Sequence, residues 1–267
     1  MLRILGVTMR KCSLIAEDRI LLEKYRVCFQ EETAYMDVHD FFDQKNLSSF
    51  LESVQNELQA PDLLVAASVF AKRYSYLVVV PALFTFSFLN KRLNMSVKNL
   101  RLLPSVAENK WLPRIFIDDQ QALLCDNETE REANRNQLLE TIFAHHLSPL
   151  WDKLSVLSKV PQHILWENTA VYLFWVFESL LSRSDLTASE RDLIQSDFDY
   201  IIYEANARLF GCFTNDNPFE LYLSPKKKIG GQNIRIRKTC CFSYKLSEDC
   251  KMCKSCPKNP NCKIGAL

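Results

Sequence analysis

The chain has 267 residues, of which 48% are hydrophobic and 24% charged, and its formal net charge at pH 7 is +1. This balance is ordinary for a globular protein, and the length allows one large domain or two modest ones. Only five glycines are present. The sequence contains no GxGxxG, Walker A, HExxH or GxSxG motif, which disfavours an NAD or ATP site and a familiar hydrolase.

Targeting and membrane signals are weak in this sequence. The first twenty residues lack the continuous apolar region and cleavage site of a secretory signal. The longest apolar run, residues 74–89, contains Pro81 and is shorter than the roughly 20 residues that span a bilayer. We therefore expect a buried core segment, no transmembrane segment and a cytoplasmic location. Peripheral contact with the inner face of the membrane is kept as a variant of that location.

The predicted elements of the body are mainly helices. In chain order they are a helix over 47–58 with Asn46 as N-cap, an apolar helix over 63–74, strands over 97–103 and 114–118, a helix that opens at Asp126 or Asn127, and helices over 169–182 and 188–210. The first of these ends just before Pro61, and its buried face should consist of Leu47, Phe50, Leu51, Val54 and Leu58. The predicted fold class is α+β, with a helix-dominated body, a small sheet and a small C-terminal module.

The C-terminal module begins at a break in composition. Residues 224–233, SPKKKIGGQN, hold a proline, three lysines and two of the five glycines, which predicts a loop or hinge. Residues 234–246 then alternate like a strand that enters a cysteine cluster. We therefore divide the chain into a body, 1–223, and a module, 224–267. The module can bury little apolar surface, so it needs a metal centre to stabilise it.

Charge is distributed unevenly between these two parts. From residue 221 onward eleven Lys and Arg stand against Glu248 and Asp249, a net of +9, which leaves −8 for the first 220 residues. The basic tail could dock on the acidic body, offset the charge of a thiolate-bound metal, or be a solvated surface. No RNP-like or helix-turn-helix pattern lies beside it, so we expect no nucleic-acid partner.

The cysteines point to a metal centre. Six of the ten lie between Cys240 and Cys262, and in a reducing compartment such a cluster favours metal over disulfides. The best four ligands, called here the four tail cysteines, are Cys240, Cys241, Cys253 and Cys256. The last two form a CxxC turn followed by Pro257, whereas the adjacent pair can bind one centre only where the backbone bends. This spacing fits zinc poorly and an iron–sulfur cluster better, although zinc stays open.

The other cysteines are less informative. Cys250 forms a second CxxC with Cys253, so it is an alternative ligand, and the role of Cys262 stays undecided. The remaining four, spread through the body, are expected to be small buried hydrophobic residues: Cys12, Cys28, Cys125 and Cys212.

The tail resembles the C-terminal signature of the FhuF-type ferric-siderophore reductases. That signature is an adjacent Cys–Cys, about ten residues and a CxxC, and here RKTCCFSYKL precedes CKSCP. The stretches SVFAKRYSYLVVVPALFTFS, NMSVKNLRL and KWLPRIFID resemble the ferric-iron reductase domain of the same family. The likeness runs from about residue 63 to 257. One departure is the spacer from Cys241 to Cys253, which holds eleven residues, Cys250 among them.

The resemblance implies a function and its cofactor. The four tail cysteines would hold a [2Fe–2S] cluster, and the body would bind a ferric siderophore. One electron would reduce the siderophore and release Fe(II) in the cytoplasm, which makes the protein an oxidoreductase acting on metal ions. The electron would come from an external donor, such as a flavin reductase, a ferredoxin or a small reductant. A zinc-stapled interaction module and an iron–sulfur redox sensor remain the alternatives.

The substrate pocket is not readable from the sequence. Five residues are candidates, each with a structural role as the alternative: Arg73, His145, His146, Trp166 and Asn168.

Overall fold

A computed structural model of the chain describes residues 2–4, 7–30, 36–104, 106–107, 110–212, 216–246 and 251–260. Within these ranges the body is built from seven α-helices: α1 (Ala16–Glu23), α2 (Gln44–Leu58), α3 (Leu63–Leu89), α4 (Glu128–Leu139), α5 (Ser148–Ser158), α6 (Gln162–Leu181) and α7 (Ala188–Asp199). Two π-helical segments, Glu140–Leu147 and Tyr200–Glu204, continue α4 and α7.

The strands are short and form several small sheets. In the described ranges they are β1 (Leu2–Ile4), β2 (Val7–Met9), β3 (Lys11–Ser13), β4 (Val27–Cys28), β5 (Met36–Asp37), β6 (Lys91–Leu93), β7 (Leu100–Leu103), β8 (Val106–Ala107), β9 (Lys110–Trp111), β10 (Arg114–Ile117), β11 (Gln121–Leu124), β12 (Lys226–Ile229) and β13 (Gln232–Arg235). A four-stranded sheet has the order β4-β10-β7-β5, with β4 and β10 parallel, and a three-stranded sheet has the order β3-β11-β6. The predicted class, α+β with a helix-dominated body, is confirmed.

Helix α2 starts earlier than predicted. Its N-cap is Asp43, whose carboxylate accepts hydrogen bonds from the amides of Lys45 and Asn46, both at 2.9 Å. The prediction of Asn46 as the cap is therefore wrong, because the carboxylate three residues upstream satisfies the free amides of the first turn. The predicted apolar face is confirmed, since all five of its residues are buried.

Helix α3 is the central element of the core. It continues for 27 residues, well past the predicted end at Tyr74 and through Pro81. A proline inside a helix costs about 3 kcal/mol because one backbone hydrogen bond is lost. Here the surrounding residues, from Leu77 to Phe86, are fully or almost fully buried, and each large apolar side chain so buried contributes about 1.5–3 kcal/mol. The gain from burial outweighs the cost of the proline.

The burial of α3 bears on the membrane question. Among the described residues it is the one helix long and apolar enough to cross a membrane, and 72% of its most apolar stretch is buried inside the protein. A single helix of this kind is weak evidence for a membrane span. Its main partner is α6, also apolar over most of its circumference, and together the two helices form the centre of the body.

The other boundaries differ modestly from the prediction. Helix α6 begins at Gln162, seven residues before the predicted start, and the helix predicted over 188–210 is divided at Ala205. Residues 97–99 form a 3₁₀ turn that leads into β7. Asn127, one of the two predicted caps, caps α4 by accepting a hydrogen bond from the amide of Glu130 at 2.9 Å.

The predicted loop or hinge at residues 224–233 is a β-hairpin. Strands β12 and β13 pair from Lys226 with Arg235 to Ile229 with Gln232. Gly230 and Gly231 form the two-residue turn, with φ angles of 55° and 81°. Two central residues with positive φ are what a tight hairpin turn requires, and glycine meets that requirement without steric cost. The strand predicted beyond the glycines ends at Arg235, before the cysteines.

A substitution in the middle of α3 tests its role as a core helix. Leu77 is fully buried. We expect Leu77→Ala to lower the free energy of unfolding by about 2–5 kcal/mol, because burial is lost and a cavity remains. Urea unfolding followed by circular dichroism measures the change.

The matched control is Val156→Ala on α5, where the side chain is 67% exposed, and its effect should stay within about 0.5 kcal/mol. An equally small effect at Leu77 would contradict the core role of α3.

Candidate metal centre

The four tail cysteines form two pairs of sulfur atoms, and no three Cys, His, Asp or Glu side chains of the described residues are grouped closely enough to hold a single metal ion. The Sγ atoms of Cys240 and Cys256 lie 3.7 Å apart, and the thiols of Cys241 and Cys253 are hydrogen-bonded to each other. The first pair is a thiol–thiol hydrogen bond from Cys256 to Cys240. Two thiolates bound about 2.3 Å from one tetrahedral metal lie about 3.8 Å apart, so the same spacing suits two ligands on a single metal. Three of the cysteines are buried, and Cys253 is half-buried.

The backbone around these residues is bent rather than extended. Phe242 has a φ angle of 60°, which is rare for a residue other than glycine, and its amide donates to the Sγ of Cys240 at 3.4 Å. On the other side, the amide of Cys256 donates to the carbonyl oxygen of Cys253 at 3.0 Å and closes the CxxC turn. The bend that the adjacent Cys–Cys pair requires is therefore present.

A buried carboxylate of α6 holds the segment that precedes the cysteines. Glu167 accepts hydrogen bonds from the amides of Lys238 at 2.5 Å and Thr239 at 2.7 Å, and also from the Thr239 hydroxyl. The Nε of Arg237 lies 3.6 Å from the same carboxylate. Glu167 is only 2% exposed. Because it anchors three consecutive residues, it positions Cys240 and Cys241 relative to the body.

A second contact links the tail to both central helices. The Arg237 guanidinium donates to the Oδ1 of Asn168 on α6 at 2.6 Å. The amide of Asn168 donates in turn to the carbonyl oxygen of Ser68 on α3 at 3.0 Å, and the Ser68 hydroxyl donates to the carbonyl oxygen of Cys241 at 3.1 Å. All of these groups are buried, so α3, α6 and the tail share one polar cluster inside the core.

The electrostatics favour the thiolate form at Cys241. The hydrogen bond from the Cys253 thiol, together with the charges of Lys72 and Arg237, lowers the pKa of Cys241 despite its burial. The Nζ of Lys72 lies 3.7 Å from its sulfur, and the Ser243 hydroxyl lies 3.0 Å from it. The same hydrogen bond and burial raise the pKa of Cys253. The two thiols are thus coupled through their hydrogen bond, and the cations beside Cys241 favour its negatively charged form.

The remaining cysteines lie apart from this centre. Cys28 and Cys125 are buried, and Cys12 and Cys212 are half-buried against the core, which agrees with the expected packing role. Burial raises the pKa of Cys125 to about 11, so its thiol stays neutral. Cys250, the alternative ligand, and Cys262 lie outside the described residues.

The structure separates the five candidate pocket residues. His146 is in the core, 2.7 Å from the Tyr74 hydroxyl, and burial lowers its pKa to about 4. His145 is exposed beside Glu140. Trp166 packs against aromatic residues of the core and also lines a cavity of about 830 Å³, whereas Asn168 holds the tail. Of the five, only Arg73 lines a cleft next to the cysteines.

Three residues that contact the tail were not predicted from the sequence: Glu167, Ser68 and Lys72. A signal was available for Glu167, because it stands in the apolar run ILWENTAVYLFWVF of α6. A charged residue is almost never fully buried unless it is paired, so its place in such a helix predicts a partner elsewhere in the chain. The hydroxyl of Ser68 and the ammonium of Lys72 carry no comparable signal.

Comparison with known families decides the assignment. The profile of the ferric iron reductase FhuF-like transporter family matches residues 68–220, more than half of the chain. The chain belongs to the FhuF-like family. The profile of the FhuF 2Fe-2S C-terminal domain matches residues 237–258, a range that includes the four tail cysteines. No curated protein matches the chain.

The family assignment confirms the resemblance noted in the sequence and the [2Fe–2S] cofactor. It identifies a ferric iron reductase in general terms, which is an oxidoreductase activity connected with siderophore iron. The residues of the FhuF-like chain fit such a cofactor in one further respect. Among the described residues, the buried Nε and Nη1 of Arg237 have no hydrogen-bond partner. A buried guanidinium beside paired thiols suits a negatively charged, sulfur-rich group.

A substitution at Glu167 tests its positioning role in the FhuF-like tail. Glu167→Gln removes the charge that faces the buried Arg237, and breaking a buried ion pair costs about 3–5 kcal/mol. We expect the helical circular dichroism of the body to persist while the cluster is lost at least about tenfold faster to an iron chelator. The visible absorbance of the cluster measures the loss.

The matched control is Glu178→Gln, also on α6. Its half-exposed carboxylate pairs with Lys226 and Arg235 of the hairpin at 2.7 and 2.6 Å. Exposed pairs of this kind contribute about 0–1 kcal/mol. Equal rates of cluster loss in the two variants would contradict the role of Glu167.

Proposed function

We propose that the protein reduces the Fe(III) of a ferric siderophore by one electron and releases Fe(II) in the cytoplasm, with the four tail cysteines as ligands of the [2Fe–2S] cluster. The observation that carries this proposal is the arrangement of the four sulfurs in two pairs, one pair with a spacing of 3.7 Å. A centre with two irons needs two thiolates for each iron, and two pairs supply that number.

The chemistry needs little beyond an electron. Siderophores hold Fe(III) through hard oxygen donors, and their affinity falls when the iron becomes Fe(II). A [2Fe–2S] cluster supplies one electron at a time, which is the number that this reduction consumes. The protein need not transfer a proton, so the reaction is compatible with a site that lacks an acid–base pair. The tasks of the chain are to hold the ligands and to bring the chelate close to them.

An external donor must replace the electron after each turnover. The sequence carries no NAD or Walker A motif, so we propose a flavin reductase, a ferredoxin or a small reductant as the source. We further propose that residues 224–267 act as a cysteine-rich module on a siderophore-binding body, 1–223. The contacts of Arg237 and Glu167 support a module that is docked on the body rather than loosely tethered.

Single cysteine substitutions test the ligand set. Replacing any one of the four tail cysteines by Ser should strongly reduce the visible absorbance and the iron and sulfide content of anaerobically purified protein, because a thiolate ligand is lost. Cys12→Ser and Cys212→Ser are the controls and should leave both unchanged, since these thiols pack against the body. If Cys250→Ser bleaches the protein and Cys253→Ser does not, the proposed ligand set is wrong.

A single-turnover experiment tests the reaction. Protein reduced with dithionite, desalted and mixed anaerobically with a ferric siderophore should be reoxidised and should yield about one Fe(II) for each cluster, because the cluster delivers one electron. A ferrous-specific chelator traps and quantifies the product. Oxidised protein is the control and should yield none. If ferric siderophores of several chemical classes all fail to reoxidise the cluster, the reductase proposal is wrong and a redox sensor becomes the better interpretation.

A further inference from the structure

A cleft of about 280 Å³ lies beside the cysteine centre. Three of the residues that line it are cations, Arg26, Lys72 and Arg73, and two are tyrosines, Tyr76 and Tyr172. None of the described residues that line this cleft is acidic. We call it the cationic cleft. Its composition is unusual for a surface whose acidic and basic residues are almost equal in number.

The cations of the cleft are fixed in place without carboxylate partners. Arg26 lies 5.0 Å from the centroid of the Tyr76 ring, and Arg73 donates a hydrogen bond to the carbonyl oxygen of Trp111. Within the described part of the chain, no Asp or Glu forms an ion pair with Arg26, Lys72 or Arg73. Burial lowers the pKa of Arg73, which reflects the cost of holding a cation there. An anion in the cleft would offset that cost.

The cationic cleft and the cysteine centre share two residues. Lys72 and Ser243 both line the cleft, and both contact the sulfur of Cys241, at 3.7 and 3.0 Å. A molecule in the cleft is therefore separated from this sulfur by single side chains. No cysteine is itself among the described residues that line the cleft, so the contact with the sulfur is made through Lys72 and Ser243.

From these observations we infer that the cationic cleft binds the negatively charged part of an anionic ferric chelate and places its iron next to Cys241. This inference rests on the proposed reductase function and specifies the substrate class. Fe(III) in the chelate accepts one electron and becomes Fe(II), and the electron comes from the reduced cluster. The cleft is at the small end of ligand sites, which are typically about 300–1,000 Å³. It therefore holds one limb of the chelate, a carboxylate or a catecholate, rather than the whole molecule.

Two other cavities fit an anionic substrate less well. The larger, of about 830 Å³, is lined by Asp216 and Glu220 as well as by Lys238, and none of the four tail cysteines is among its described lining residues. The second, of about 220 Å³, lies between α6 and the hairpin. Its cations already have carboxylate partners, since Lys226 and Arg235 pair with Glu178 and Arg237 pairs with Glu167. Among the described cavities, the cationic cleft alone is lined both by cations without a carboxylate partner and by residues that contact a cysteine sulfur.

Binding and reduction can be measured separately. Ga(III) has the charge of Fe(III) but is not reduced under these conditions, so its chelates report binding alone. We would titrate full-length protein with its cluster, by calorimetry, with Ga(III) citrate, an anionic Ga(III) tris-catecholate and a neutral Ga(III) tris-hydroxamate. Both anionic chelates should bind at least about tenfold more tightly than the neutral one, because charge-assisted contacts exist only for them. A preference for one of the two distinguishes carboxylate from catecholate recognition.

Single substitutions distinguish the effect of the cleft cations on binding from the effect of the net positive charge of the tail. Arg26→Gln should weaken binding of the anionic chelates about tenfold and leave the neutral one unchanged, whereas Arg26→Lys should retain most of the affinity. Lys227→Gln removes the same charge from the exposed hairpin and should change binding less than about twofold. The visible absorbance of the cluster and the helical circular dichroism verify that each variant is folded.

The outcomes distinguish the two proposals. Equal losses in Arg26→Gln and Lys227→Gln, or equal affinity for anionic and neutral chelates, would overturn the cationic cleft as the binding site. Binding as described, without Fe(II) from the corresponding ferric chelates, would leave the cleft in place and overturn the reductase function. If Fe(II) forms from every chelate at rates that Arg26→Gln does not change, the reductase function stands and the cationic cleft is not the binding site.

Discussion

The position of the tail depends on the contacts that the buried carboxylate of Glu167 makes with residues 237–239. A carboxylate that is 2% exposed is costly to bury unless charges and hydrogen bonds compensate it. Here the compensation comes from Arg237 and from the backbone amides of Lys238 and Thr239. If the tail left the body, the Glu167 carboxylate would become exposed to solvent or would stay buried without its partners. Since Cys240 follows Thr239 directly, the same contact determines where the first sulfur lies.

Much of the body could be predicted from its apolar pattern. The α+β class, the buried face of α2 and the cap at Asn127 follow from residues that are close in sequence, so local reasoning finds them. The end of α3 depends instead on tertiary packing, because the burial around Pro81 outweighs a local signal that normally stops a helix. The two glycines, Gly230 and Gly231, suit a flexible hinge and a tight turn equally well, so their composition does not distinguish the two. Only the pairing of β12 with β13 shows that the glycines form a tight turn.

The candidate site could be predicted only in part, and for a similar reason. Spacing selected the CxxC turn and required a bend at the adjacent Cys–Cys pair, and the structure contains both features. Spacing cannot supply the groups that hold this bend, since Glu167 is 71 residues from Lys238 and Ser68 is 173 residues from Cys241. Such partners are determined by how α3 packs on α6. The family assignment supplies the cofactor, which four thiols alone leave open between zinc and iron.

The contacts between the tail and α6 explain the uneven distribution of charge between the basic tail and the acidic body. Cations of the tail, Arg235 and Arg237 among them, meet acidic residues of α6, so the positive tail and the negative body neutralise each other along that helix. Lys72 of α3 also lies beside the cysteines, 3.7 Å from the sulfur of Cys241. Thiolate-bound iron–sulfur centres are negatively charged and would repel an anionic chelate at short range. Under the proposed function, a cation that contacts the sulfur and lines the cleft would reduce this repulsion between the cluster and an anionic substrate.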